Sequence, residues 1–166
     1  MLSRSCIFTE VRDEMFAVIR LRGSGGQKKG IKDTLDMLRL FAVNNCVIVP
    51  ETENYRGMLE KCRNVCTWGE VEKDLLVKLL EERLRGEGDK KIDEKILKEL
   101  TGFDSFGKLA EALMADKTKL KDLKKIVPMF RLSPPSKGFK SVKEYYPKGD
   151  LGYRGKEINK LLERMI

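Results

Sequence analysis

The residues with the clearest chemical promise are glycines and lysines. Gly23, Gly25, Gly26 and Gly30 surround Lys28 and Lys29, and Lys32 follows. Glycine lets backbone amides come close to an anion, and a helix starting just after such a loop presents unpaired N–H groups and a positive dipole end. That is phosphate chemistry. Two nucleotide-binding patterns nevertheless fail on spacing. A P-loop closes with Gly-Lys followed by Ser or Thr; Gly25 and Gly30 have the right separation, but Ile31 and Lys32 come next. The dinucleotide fingerprint needs a third glycine at position 28, where Lys28 stands. What remains is pliant backbone bearing several cations at a helix start. It suits the backbone of an RNA as well as a free nucleotide, or it is an ordinary surface loop.

A second basic tract has a different character. In "FRLSPPSKGFK", Arg131, Lys137 and Lys140 alternate with Phe130 and Phe139 around a rigid Pro134-Pro135 pair. Proline lowers the entropy lost when an extended segment is laid on a partner. Downstream, "KEYYPKGDLGYRG" adds Tyr145, Tyr146 and Tyr153, whose rings can stack on unpaired bases or pin the tract to its own protein. For Phe130, in a strand-like run, the core is the expected place. For Tyr153 the two outcomes stay open.

Catalysis finds little support. The chain has no histidine, which excludes Ser-His-Asp triads, histidine-dependent zinc hydrolases and facial-triad iron sites. Cys62 and Cys66 lack the spacing and the second close pair of a zinc site, so both thiols are expected in the core and no metal or cofactor is expected. Carboxylates are plentiful but sit at helical spacing from lysines, as solvated pairs do. The 34 Lys and Arg against 26 Asp and Glu leave a formal charge of +8, a surplus that favours polyanions. The surplus is uneven. Arg20, Arg22, Lys28, Lys29, Lys32 and Arg39 face only Asp33 and Asp36 in residues 15–50. Arg131, Lys137, Lys140, Lys143, Lys148, Arg154 and Lys156 face only Glu144 and Asp150 in residues 126–156. No apolar run is long enough to span a membrane, and neither a membrane partner nor a small-molecule substrate is expected.

These tracts need a frame. Residues 15–21, 46–50 and 65–69 are short apolar runs that read as strands. Ile31, Leu35, Leu38 and Ala42 make one helical stripe between the first two; Tyr55, Met58, Leu59 and Cys62 make another before the third. The order β-α-β-α-β over 15–69 predicts an α+β core. Residues 70–126 read as a helical insertion or subdomain, with Val71, Leu75, Leu76, Leu79 and Leu80 inward on its first helix and further helices at "DEKILKEL", "SFGKLAEALM" and "KLKDLKKI". Residues 127–166 read as an extended basic tract closed by a helix with Ile158, Leu161, Leu162 and Met165 on one side. Residues 1–14 read as an N-terminal extension, with Met15 an alternative start. The loop 23–29 and the tract 136–150 are both expected to be mobile in the absence of RNA.

In this order the segments "FAVIRLRG", "GIKDTLDMLRLFAVNNCVIV", "NYRGMLEK", "TWGEVEKDLL", "FRLSPPSKGF" and "LGYRGKEINKLLERM" resemble a family of large-ribosomal-subunit proteins, called L-thirty in bacteria and L-seven in eukaryotes, in its longer archaeal-type form. The resemblance covers Met15 to Ile166. It implies a compact, ferredoxin-like β-α-β-α-β core with a small antiparallel sheet and a helical addition after the third strand. It implies no enzyme and no cofactor, but a structural constituent of the large subunit, cytoplasmic and on the ribosome. Its partners would be large-subunit ribosomal RNA and neighbouring ribosomal proteins. The alternative is a protein-interaction module docking a partner through the helical insertion. By resemblance the loop after the first strand and the Pro-Pro tract face RNA, which makes Arg22, Lys28, Lys29, Lys32, Arg56, Arg131, Lys137, Lys140 and Arg154 the candidate contacts. Two positions depart from the archaeal pattern: Asn44-Asn45 replaces an Asn-His pair, and Ser136-Lys137 stands where some relatives place an arginine after the prolines.

Overall fold

The computed structural model describes residues 15–23, 25–115, 118, 120, 122, 123 and 125–166. The 1–14 extension with Cys6 lies outside the described residues, as do Ser24, Asp116, Lys117, Lys119, Lys121 and Lys124.

Strand β1 (Met15–Arg20) is buried along its whole length. Such a strand must be covered on both faces and paired on both edges. Strands β2 (Asn45–Pro50) and β3 (Cys66–Glu70) flank it, both antiparallel, with Phe16 opposite Val49 on one side and Glu70 on the other. Two-residue strands close the edges. β4 (Phe130–Arg131) pairs antiparallel with β2, and β5 (Gly152–Tyr153) pairs parallel with β3, giving the order β4-β2-β1-β3-β5.

Alternation along β1 sorts its side chains between two layers. Phe16 and Val18 meet Leu35 of α1 (Lys29–Met37) and Leu59 of α2 (Glu53–Lys61). Ala17 and Ile19 share the other apolar cluster with Leu76, Leu79 and Leu80 of α3 (Lys73–Arg83), Leu109 and Leu113 of α5 (Phe106–Met114), and Ile158, Leu161 and Leu162 of α6 (Ile158–Glu163). Leu97 of α4 (Glu94–Thr101) joins that cluster too. The molecule is thus an α+β sandwich of helices, sheet and helices, in agreement with the expected class.

Local chemistry sets the helix ends. The Thr52 hydroxyl accepts from Tyr55 N at the start of α2, with Glu53 in its first turn and Lys61 in its last. Ser105 does the same for α5 through Lys108 N. Helix α1 stops in a Schellman turn: Arg39 takes φ +59°, its N–H donates to Asp36 O, and Leu40 N–H donates to Leu35 O at 2.9 Å. Leu35 and Leu40 are both buried in the same cluster, the apolar contact that accompanies this turn. The helix therefore ends before Ala42, which the stripe had included; Ala42 is exposed. Two more expectations need correcting. Val71 precedes α3 and continues the pairing of β3 with β1, its N–H donating to Met15 O at 3.0 Å. The described residues of 119–126 form turns and a bridge between Ile126 and Gly86 rather than a helix, with Lys125 at φ +65°.

The sheet and α6 meet at a glycine. A Cβ on Gly69 would lie 2.0 Å from the Gly155 carbonyl oxygen and 3.0 Å from Ile158 Cβ. Gly69→Ala should therefore cost stability at the upper end of about 1–3 kcal/mol, as overpacking against backbone does. Gly57→Ala, in α2 with nothing within 4 Å, should gain about 0.5–1 kcal/mol. Urea midpoints of the two variants check the contrast; equal midpoints would refute the close approach.

Candidate nucleic-acid interface

The antiparallel registers decide where the basic segments lie. The C-terminal end of β1 adjoins the N-terminal ends of β2 and β3, so the loops 21–28, 38–44 and 62–65 open at one end of the sheet. Arg131 pairs with Asn45, and Gly152 with Thr67, so both edge strands sit at that end as well. Residues 132–151 connect the two edges and cross the width of the sheet.

Backbone hydrogen bonds tie these segments together. Asn44 N donates to Arg20 O at 2.8 Å, and Leu132 N donates to Asn44 O at 3.0 Å. Leu21 N and Arg22 N both donate to Val65 O. The Arg22 guanidinium reaches Asn64 O at 3.3 Å, and Tyr145 donates its hydroxyl proton to the Asn64 side-chain oxygen. The first basic loop and the C-terminal tract therefore meet at the 62–65 turn. The first turn of α1 lies close by, with Ile31 O 4.0 Å from Cys62 Sγ.

The candidate contacts fall into groups. Lys28, Lys29 and Lys32 are exposed around the start of α1, and Arg22 is half-buried on the turn beside it. No side chain caps the start of α1. Exposed Arg131 pairs with Asp89 at 3.2 Å, a surface contact of about 0–1 kcal/mol that a phosphate can displace. Lys137 and Lys140 are exposed on a tract strapped to the C-terminus. The Arg164 guanidinium donates to Ser136 O and Gly138 O, Ser136 N donates to Arg164 O, and Arg83 donates to Ser133 Oγ at 2.7 Å. Farther on, Asp150 N donates to Ser141 O, and the Asp150 carboxylate accepts from Lys140 N and Ser141 N. Lys137 takes φ +68° in the turn that follows the prolines.

Two residues do not join that end as free cations. Arg56 lies in the first turn of α2, after the opposite end of β2, where it pairs with Glu51, a mostly buried carboxylate. Arg154 is turned inward, as a correction to its expected RNA-facing role. Its side chain is only 6 % exposed, Nη2 donates to the Asp150 carboxylate at 2.7 Å and to Asp150 O at 2.9 Å, and Nε donates to Thr67 Oγ1 at 3.1 Å. Thr67 in turn donates to Gly152 O at 2.9 Å. The pair locks β5 to β3. Arg20, counted with the basic surplus of residues 15–50, is buried as well. It donates to Leu40 O at 2.6 Å and Phe41 O at 2.9 Å, holding the loop after α1 against β1. No pattern marks a buried arginine in advance, because the type is mostly exposed.

Chemistry of other kinds has few groups to use. Among the described residues, no cluster of His, Cys, Asp and Glu could hold a metal. Cys46, Cys62 and Cys66 are buried, as expected for the pair 62 and 66. Burial pushes the Cys46 thiol up to about 12 and the Cys62 thiol up to about 11, and it raises Cys66 as well. Charges of the helical layer pair with one another. Lys73 hydrogen-bonds Glu111 at 2.7 Å, which raises the lysine and lowers the carboxyl; Lys98 and Lys108 hold Asp104 below its ordinary range.

Comparison with known proteins agrees with this architecture. The sequence profile of the family described as "Ribosomal protein L30p/L7e" matches residues 16–65, the span from β1 to the turn before β3. A protein of Methanosphaera stadtmanae named large ribosomal subunit protein uL30 is 47 % identical over 153 residues, covering 92 % of this chain and 100 % of its own. The chain belongs to the L30p/L7e family of ribosomal proteins. The uL30 of Archaeoglobus fulgidus is 44 % identical over 91 % of this chain and 99 % of its own, and that of Thermoplasma volcanium 44 % identical over 92 % and 93 %. Family membership makes the chain a structural protein and not an enzyme.

Two measurements test the assignments. Arg154→Ala should cost about 3–5 kcal/mol of stability, because it leaves the buried Asp150 carboxylate without its cation; denaturant unfolding reads the loss, and a change below about 1 kcal/mol would contradict a structural role. In the Cys6→Ser chain at neutral pH, a thiolate-selective reagent should label nothing in the native state and all three remaining thiols after unfolding. Rapid native labelling would contradict their burial.

Proposed function

We propose that the chain is a cytoplasmic structural constituent of the large ribosomal subunit that binds ribosomal RNA through the basic loops at one end of its sheet. The observation that carries this reading is the convergence of the loop after β1 and the tract from β4 to β5 on that end. Lys28, Lys29 and Lys32 on one side, and Arg131, Lys137 and Lys140 on the other, are exposed, and among the described residues the one acid paired with any of them is Asp89, in a weak surface pair with Arg131. Arg22 sits half-buried between them. Neutralising phosphates with such cations releases counterions, which supplies affinity without reading sequence. Neighbouring ribosomal proteins would complete the surroundings. In this organisation residues 15–69 are the core, 70–126 an added helical layer and 127–166 the basic strap. The relatives' name, large ribosomal subunit protein, supports the assembly.

With about six to eight phosphates neutralised on irregular RNA, log affinity should fall against log salt with a slope of about 4 to 6. Lys28→Ala with Lys29→Ala should lower affinity for a large-subunit ribosomal RNA transcript and reduce that slope by about one unit or more. Lys90→Ala with Lys91→Ala, in the helical layer, should do neither. Filter binding at several salt concentrations measures both, and identical behaviour of the two double variants would refute the role of charge location. Co-sedimentation with large subunits in a gently prepared lysate separates this reading from a partner-docking module.

A further inference from the structure

Beside β3 lies a cavity of about 220 Å³ whose lining includes Glu60, Arg63, Trp68, Tyr145, Tyr146 and Tyr153. We propose that it takes an unpaired nucleobase of the bound RNA. The inference rests on the reading of the chain as an RNA-binding protein and adds a second mode of contact to the phosphate one.

Exposure is the first argument. Tyr145, Tyr146 and Tyr153 are 44 %, 39 % and 51 % exposed around one concavity, whereas exposed Phe41 is not part of its lining. Scattered exposed aromatics need no explanation; several rings gathered round a single hollow mark a binding surface.

The rings are also held in place. Tyr145 donates to the Asn64 side chain, and Tyr153 donates to a Glu70 carboxylate oxygen at 2.7 Å. Tyr146 N donates to Leu151 O, Leu151 N to Glu144 O and Gly149 N to Tyr145 O, which closes the 144–151 turn. Gly149 is packed so tightly there that a Cβ would lie 2.2 Å from Glu144 O. On the cavity side, a Cβ on Gly152 would lie 3.3 Å from the Tyr145 ring. Rings fixed beforehand lose little freedom when a flat ligand stacks on them.

Charge selects the ligand. The Arg63 guanidinium carbon is 5.5 Å from the Tyr145 ring centroid, and Arg22 donates to the backbone carbonyl of Asn64, whose side chain accepts from Tyr145. A phosphate attached to the bound base would meet these cations. Glu60 lies on the rim beside them, 3.9 Å from Arg63. Its carboxylate disfavours a bare anion in the cavity and can accept from an N–H on a base edge. A planar base carrying a neighbouring phosphate satisfies both signs of charge, and stacking on aromatic side chains is how single-stranded RNA is commonly held.

The chain's one tryptophan lines this cavity and serves as its reporter. The full chain is titrated with a short single-stranded RNA and with a ribose-phosphate oligomer of equal length lacking bases, while Trp68 fluorescence is followed. The RNA should bind about tenfold tighter and change the fluorescence, since one stacked base is worth about 1–3 kcal/mol. Tyr146→Leu and Tyr153→Leu should each reduce that preference and leave the salt slope unchanged. Thermal melts establish that the variants are folded, and Tyr146→Leu, on an exposed turn, decides the matter should Tyr153→Leu unfold the chain. Equal binding of the two oligomers, with a normal salt slope, would overturn the base site and leave the phosphate reading standing. So would an undiminished preference in folded Tyr146→Leu. Failure of both oligomers to bind even at low salt would overturn the two readings together.

Discussion

Strand β1 is hydrogen-bonded on both edges to antiparallel neighbours and buried on both faces. With β1 between them, β2 and β3 must each begin where β1 ends. The loops that precede them then open beside the loop that follows β1. Had β2 run parallel to β1, its approach would have come from the opposite end, and Asn44 could not have bridged Arg20 and Leu132. The clustering of basic segments is thus a consequence of strand direction, not of any attraction among cations, which repel one another. Apolar burial on the two faces, contributing about 25 cal/mol per Å² removed from water, holds those charges close together against that repulsion.

Arginine plays two parts in this arrangement, separated by burial. Arg20 and Arg154 are inside, and each spends its fork of donors on groups the fold would otherwise leave unpaired: the Leu40 and Phe41 carbonyls in one case, Asp150 and Thr67 in the other. Arg20 lies just beyond the C-terminus of α1, where the helix dipole favours a cation. Lysine could not reproduce the Arg154 contacts, because they use two separate nitrogens of one rigid guanidinium, Nε toward Thr67 and Nη2 toward Asp150. Among the described residues, exposed Arg131 meets only the surface carboxylate of Asp89. Net charge alone does not distinguish these populations.

How much of this the sequence carries depends on the length of the signal. The runs "MFAVIR", "NCVIVP" and "CTWGE" differ from the expected strands by a residue at their ends; in the first two, apolar continuity over four or five positions is hard to mistake. The pairs Leu75-Leu76 and Leu79-Leu80 show the inward face of α3 equally well. Strands β4 and β5 have two residues each, too few for any periodicity, and their pairing is set by contacts distant in the chain. The lysine-rich stretch 119–126 has helical propensity, yet its described residues adopt turns, because Ile126 is drawn to Gly86 and Val127 N to Arg85 O. Arg154 failed for a related reason: nothing in "GYRG" announces that Asp150, four residues earlier, is buried with it.

The glycine-rich loop makes the same point for function. Its composition alone suits a nucleotide, and a nucleotide site would need its phosphates enclosed by one loop with a lysine and a hydroxyl at fixed offsets. Here the cations that could meet phosphate belong to several segments: the start of α1, the end of β4 and the strap beyond the prolines. They share an end of the sheet rather than a single enclosed hollow. Charges spaced in that way can act together only on a ligand that is itself extended and repeatedly anionic. A mononucleotide would touch one group of them, whereas an RNA backbone can touch them in succession. The breadth of the basic end, more than its net charge, is what favours a polymer over a small molecule.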